Sequence, residues 1–311
     1  MSWQGRVVKQ IVVRLAAIIA AGLALGGCAS FIPFQKDSEV IVRVADRPDI
    51  YPVQPVANAY AQYALLASAA YGDKQSIGVA GWRRVSLPKY KCPAGHICAG
   101  SVDEQLWIRG GKNSCQEAVV LFRGTVAASA DDWLANFHWF HRMTPIDDYY
   151  DQARGNIGQV VAIAEKQGCA RRIIAVGHSL GGGLAQHVAY ANKKIRTVYA
   201  FDPSFVIGTT DFNLLGLPIY RDGAKFDYVY EHGEVLAFLR YIGRQFHPYE
   251  ACNPRIRTVR FNTLTGWIVN QHRIDDLAAK LVERARPVKP EPGAARPAKK
   301  FKLGEGCPKA A

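Results

Sequence analysis

The 311-residue sequence is short of charge, has no internal repeat and has no long apolar run; only 21% of its residues are charged and 49% are hydrophobic. That balance excludes a disordered, collagen-like or coiled-coil chain. The absence of a repeat excludes a solenoid or propeller. The N-terminal apolar run, residues 15–25, falls short of the ~20 residues a bilayer-crossing helix needs. Acids are scarcer than bases, 26 against 39, for a net charge of +13. Charge of that sign draws nucleic acid or an anionic surface, but it sits mostly at the ends. Residues 1–27 hold three basic residues and no acid, and residues 284–311 hold eight against two, leaving +4 for 28–283. The sequence between the ends carries no nucleic-acid footprint.

The N-terminus has a basic segment ending at Arg14, the apolar run, and then Leu25-Gly26-Gly27-Cys28. This order resembles the bacterial lipoprotein signal. The resemblance implies cleavage before Cys28, acylation of that cysteine, and membrane attachment through several chains on one residue. Ala29 rather than an acid follows, which implies an outer-membrane destination in the cell envelope. Residues 1–27 are therefore set apart from the fold, and 28–55, with Pro33, Pro48, Pro52 and Pro55, reads as a tether with a short strand at 40–44.

Six further cysteines remain: Cys92, Cys98, Cys115, Cys169, Cys252 and Cys307. An even number in an exported chain reads as a disulfide framework, although connectivity is open among six cysteines. The five residues between Cys92 and Cys98 exceed the usual zinc-ligand gap, so no metal site is expected.

Residues 57–71 are Ala-rich and read as a helix ended by Gly72. Strand-like runs follow at 82–87, 105–109 and 118–123, then a helical pattern over 149–167. A short apolar run at 172–176 leads through glycines to a helical stretch at 184–192, and a strand at 196–201 comes next. This alternation predicts a mainly parallel sheet covered by helices, an α/β architecture. After residue 284 the chain turns to Pro, Lys and Ala, an extended basic tail.

The chemistry concentrates in Gly177-His178-Ser179-Leu180-Gly181-Gly182-Gly183, between a strand and a helix. A serine on so sharp a turn needs small neighbours at the flanking glycine positions, and the turn leaves its hydroxyl exposed as a nucleophile. The following helix start lends positive potential to a developing oxyanion. Upstream, Phe122-Arg123-Gly124-Thr125 ends a strand in a small-residue turn, where an acyl-transfer site needs a second backbone N–H.

Together these segments resemble the class 3 (fungal-type) lipase family of α/β-hydrolases, over roughly residues 57–283. The resemblance implies an α/β-hydrolase fold in a single domain, bounded here at 56–283, and no cofactor. It implies an oxyanion hole from the N–H groups of Thr125 and Leu180, and a lid within 126–137 that carries Trp133. The triad acid follows a strand at 226–230. Glu234, before Val235, stands where the family has Asp; Leu236 stands where it has Pro. Glu231 and Asp202 remain alternatives. The base is His272, opening the last helix, with His247 as the alternative. His138 and His141 lack a third ligand and read as part of an aromatic segment. In such a fold the strands after Cys115 and Cys169 run side by side, which implies a Cys115–Cys169 bridge; Cys92–Cys98 and Cys252–Cys307 complete the pairing.

The expected activity is a membrane-anchored serine carboxylic-ester hydrolase, lipase- or phospholipase-like, acting through an acyl-enzyme on lipid or other acyl esters. The competing class is a catalytically silent envelope-binding module whose basic tail does the binding.

Overall fold

The computed structural model describes residues 53–72, 79–98, 100–111, 114–124, 146–204, 207–208, 212–213, 215–234, 236, 253–264 and 270–286, and the backbone of 39–43. Eight strands form one sheet: β1 (Glu39–Arg43), β2 (Trp82–Val85), β4 (Glu104–Gly111), β5 (Ser114–Phe122), β7 (Ile173–His178), β8 (Ile195–Phe201), β9 (Lys225–Glu231) and β10 (Arg255–Phe261). Their order is β1-β10-β9-β8-β7-β5-β4-β2. The six strands from β5 to β1 run parallel, and β4 and β2 extend the sheet antiparallel. A two-stranded ribbon, β3 (Ile97–Cys98) with β6 (Ile146–Asp147), stands apart. This is the α/β-hydrolase architecture, with the expected strands lengthened or shifted by a few residues.

Among the described residues four helices cover the sheet: α1 (Val53–Ala69), α2 (Tyr149–Lys166), α3 (Leu180–Ala191) and α4 (Ile274–Ala285). Side chains alternate between faces along β5. Val120 and Phe122 pack with Ile157, Val160, Leu184 and Val188 of α2 and α3. Val119 and Leu121 pack with Tyr63, Leu66, Leu277 and Leu281 of α1 and α4. With both faces covered, all six residues of β7 are buried, five of them without a polar side chain. Among the described residues no helix is long and apolar enough to cross a membrane.

Helix α1 starts at Val53, a turn before the sequence pattern begins. Pro55 lies in its first turn, where backbone N–H groups have no intrahelical acceptor and proline costs nothing. Helix α2 opens on a reciprocal cap: the Asp148 carboxylate accepts from the N–H groups of Tyr150 and Asp151, and Asp151 returns a bond to Asp148. Helix α4 shows Ile274, Leu277, Ala278 and Leu281 buried, a single apolar stripe on its inner side.

Among the described residues two disulfides are present. Cys115 and Cys169 lie with Cα atoms 5.1 Å apart, and Cys92 and Cys98 with theirs 6.0 Å apart. The first joins the start of β5 to the residue column before β7, because the two strands are in parallel register from Ala118 and Ile173. Cys28, Cys252, Cys307, the tether outside 39–43 and 53–55, and the tail beyond 286 lie outside the described residues.

Candidate active site

Strand β7 ends at His178, Ser179 follows, and α3 starts at Leu180. Ser179 has φ 56° and ψ −124°, a left-handed conformation that non-glycine residues avoid. Its backbone is held on both sides. The N–H donates to the Phe201 carbonyl at 3.0 Å, and its own carbonyl accepts from Gly182 at 3.0 Å and Ser204 at 2.9 Å. The glycines around it are forced by close approach. A side chain on Gly177 would run into the backbone of Gly181, and one on Gly181 into the carbonyl of Phe122. Here tertiary packing overrides propensity, which is why α3 begins at Leu180 and takes in three glycines instead of starting at residue 184.

The chain also comes close at the turn after β5. A Cβ on Gly124 would lie 3.2 Å from the Ser179 Cβ. Arg123 anchors that turn, its N–H bonding the Asp103 carbonyl at 3.1 Å and its Nε the Asp103 carboxylate at 3.0 Å. Thr125 and Trp133, with the whole of 126–137, lie outside the described residues, as do His138, His141 and His247. Leu180 is the first residue of α3, where N–H groups have no partner within the helix.

Three carboxylates compete for the imidazole. Glu234, buried after β9, has Oε2 2.9 Å from His272 Nδ1 and accepts from the Leu236 N–H at 2.8 Å. Glu231, at the end of β9, is turned into the loop after β10. It accepts from the N–H groups of Thr263 at 2.9 Å and Leu264 at 3.3 Å, and from the Thr263 hydroxyl. Asp202, after β8, has φ 39°, accepts from the Glu231 N–H at 3.3 Å, and approaches His178 Nε2 no closer than 4.0 Å. The structure thus brings Glu234 to His272 and gives Glu231 a loop-holding role.

His272 closes a short 3-10 turn, Asn270–His272, just before α4. A carboxylate on Nδ1 keeps the proton there and leaves Nε2 as the basic nitrogen. The His272 carbonyl faces His178 Nε2 at 2.8 Å, and the two rings lie 4.8 Å apart between centroids. The loop of His272 and the elbow are therefore in contact. Sequence reasoning passed over His178 as part of the elbow motif, and Tyr71 as a helix end; both contact the site. The Tyr71 hydroxyl lies 2.8 Å from His178 Nδ1 and 3.0 Å from the Gly124 nitrogen.

Among the described residues two groups of side chains cluster closely enough to offer metal ligands: Cys92, Cys98 and Asp147, and His178, Asp202 and His272. In the first the sulfurs are bonded to each other. In the second His178 and His272 already hold the contacts described above.

Residues 62–201 match the model of a phospholipase-like family, the Tle-like phospholipase domain. That family is lipase-like and of the α/β-hydrolase type, and the matched segment runs from α1 through the elbow to the end of β8. It supports a hydrolase of the lipase or esterase kind. No curated protein matches the chain. Similar solved structures include a thermostable carboxylesterase cloned from a metagenomic library, at 16% identity, TM-score 0.36, covering 76% of this chain and 98% of that one. An esterase from the archaeon Pyrobaculum calidifontis is 12% identical, with TM-score 0.37 and coverage of 76% and 94%. A bacterial heroin esterase is 14% identical, with TM-score 0.37 and coverage of 77% and 99%. At these scores the fold rests on the sheet order and the elbow rather than on the likenesses.

Proposed function

We propose that this chain is a serine carboxylic-ester hydrolase of the class 3 lipase type, acting on acyl esters of lipids, phospholipids among them. The observation that carries the reading is the 2.9 Å contact between His272 Nδ1 and Glu234 Oε2, in a loop bonded to the strand that presents Ser179. A buried carboxylate on one ring nitrogen of a histidine, in a loop tied to the residue before a strained serine, suits general-base activation of that serine.

In this reading the Ser179 Oγ attacks the acyl carbonyl and passes its proton to His272 Nε2. Glu234 stabilises the imidazolium without taking the proton. The N–H groups of Leu180 and Thr125 receive the charge on the carbonyl oxygen, and the helix start at Leu180 adds positive potential. Collapse of the tetrahedral adduct breaks the ester C–O bond, and His272 returns the proton to the leaving alcohol. Water, deprotonated by the same imidazole, then attacks the acyl-enzyme, releasing a carboxylic acid and restoring Ser179. No cofactor enters.

The envelope setting belongs to the same reading. Residues 1–27 direct export, Cys28 carries the acyl anchor, and the basic tail from 284 lies against anionic surface. Anchoring the enzyme on a membrane puts it where its substrate is concentrated. The test is hydrolysis of a panel holding phosphatidylcholine vesicles, emulsified triacylglycerol and a p-nitrophenyl ester. Wild-type protein releases acid from at least one, and Ser179→Ala from none; release that survives the substitution removes the proposal.

A further inference from the structure

Tyr71 stands two residues beyond α1, and its hydroxyl reaches three atoms of the site: the Gly124 nitrogen at 3.0 Å, His178 Nδ1 at 2.8 Å and the His178 carbonyl at 3.5 Å. The ring packs edge-on to the His178 ring, 5.5 Å between centroids. Its burial pushes the phenol well above its ordinary pKa, so the hydroxyl keeps its hydrogen. Counting donors assigns every proton. The Gly124 N–H can only donate, so the hydroxyl oxygen accepts there. The hydroxyl hydrogen then goes to the nearer acceptor, His178 Nδ1. That leaves the His178 proton on Nε2, where it faces the His272 carbonyl at 2.8 Å, an acceptor. One directed chain results: Gly124 N–H to Tyr71 oxygen, Tyr71 O–H to His178, and His178 N–H to the His272 carbonyl.

The endpoints are the turn after β5 and the loop before α4. Gly124 belongs to the turn that leads into Thr125, and His272 carries the imidazole. Ser179 follows His178 directly, with its Cβ 3.2 Å from the place a Cβ on Gly124 would take. Gly124 has no room for a side chain because the Tyr71 hydroxyl, the His178 carbonyl and the Ser179 Cβ all crowd the place a Cβ would take.

We infer that Tyr71 is a positioning residue of this site: its hydroxyl sets the turn at Gly124 and, through His178, the loop carrying His272. The inference rests on the serine-hydrolase reading for its catalytic consequence. Tyr71 touches neither substrate nor the reacting atoms, so its effect falls on geometry, where a displacement near 1 Å costs about 100-fold in rate.

The test compares wild type, Tyr71→Phe, His178→Asn and the double variant as full-length protein. Three quantities are read: the rate of Ser179 labelling by a fluorophosphonate, kcat and KM on a p-nitrophenyl ester, and hydrogen exchange of the Gly124 amide. Tyr71→Phe should slow labelling by about 10- to 100-fold and lower kcat with KM within about twofold. The Gly124 amide should exchange at least about tenfold faster while the melting temperature stays within a few degrees. The double variant should lose about as much as the worse single, because the two side chains act as one unit. Labelling at the wild-type rate, a loss no larger than the fall in folded protein, or additive losses would each overturn the inference. Failure of wild type itself to label counts against the hydrolase reading instead, and Gly124 exchange then decides alone whether Tyr71 holds the turn.

Discussion

His178 Nε2 lies 2.8 Å from the carbonyl oxygen of His272, so the residue before Ser179 holds the loop that carries His272. Ser179 and His272 are 93 residues apart in the chain, yet a hydrogen bond between the His178 ring and the His272 carbonyl ties the elbow to the loop of His272. Such a contact makes the site sensitive to changes that touch neither Ser179 nor the His272 ring.

The first prediction separates the two glutamates. Glu234→Gln should lower kcat by about three to four orders of magnitude with the fold intact, because an amide no longer holds the imidazole in its working tautomer. Glu231→Gln should act on stability, since its carboxylate receives the N–H groups of Thr263 and Leu264 and the Thr263 hydroxyl. Losing a charged acceptor there costs about 1–3 kcal/mol. Parallel kcat and thermal-melt measurements on the two variants check both halves. A crippled Glu231→Gln enzyme of normal stability would reverse the assignment.

How much of this was legible in the sequence differs by element. The elbow was, because a strand, two glycines at fixed spacing and a helix are local features with a mechanical cause. The Cys115–Cys169 bridge followed from the fold that the motifs implied, through the parallel register of β5 and β7. Helix α3 was misplaced by four residues because its glycines answer to contacts with Phe122 and Pro203, which no local pattern contains. Tyr71 was invisible for a similar reason. A tyrosine before a glycine looks like a helix end, and its partners lie 53 and 107 residues away.

A second prediction contrasts two glycines. Gly158, on the exposed side of α2, has nothing near the place of a Cβ, so Gly158→Ala should raise stability by about 0.5–1 kcal/mol through helix propensity. Gly181→Ala drives a methyl into the Phe122 carbonyl and should lose well over 1 kcal/mol, along with activity. Urea unfolding of both variants checks the signs; equal effects would mean that the elbow tolerates a side chain.

The disulfides give a third. Bonding residues 54 apart, Cys115–Cys169 should contribute about 4 kcal/mol in the chain-entropy picture, and Cys92–Cys98, which closes a loop of separation 6, about 2 kcal/mol. Paired Cys→Ser variants compared by denaturant midpoint should preserve that ranking. The opposite ranking would place the stabilisation elsewhere.

A fourth prediction concerns pH. Burial pushes the Glu104 carboxyl up to about 7, with only the Asn156 amide, 2.6 Å away, favouring its charged form. Between the ordinary value of 4.5 and about 7 the folded protein holds a proton there that the unfolded chain has released. Stability from this group is therefore full below pH 4.5 and declines as pH rises toward 7, by about 1.4 kcal/mol per pH unit at most. Unfolding midpoints at pH 5 and pH 8 should differ less in Glu104→Gln than in wild type. An identical pH dependence in the two would remove Glu104 as the cause.

The central claim is that Ser179 is a nucleophile activated by His272. Its most direct test is covalent labelling of the intact protein with a fluorophosphonate, followed by mass spectrometric mapping of the adduct. The account predicts one phosphonyl group per chain, on Ser179, formed more slowly by at least about 1000-fold in His272→Ala and absent in Ser179→Ala. An unlabelled wild type, or an adduct that persists in Ser179→Ala, would contradict it.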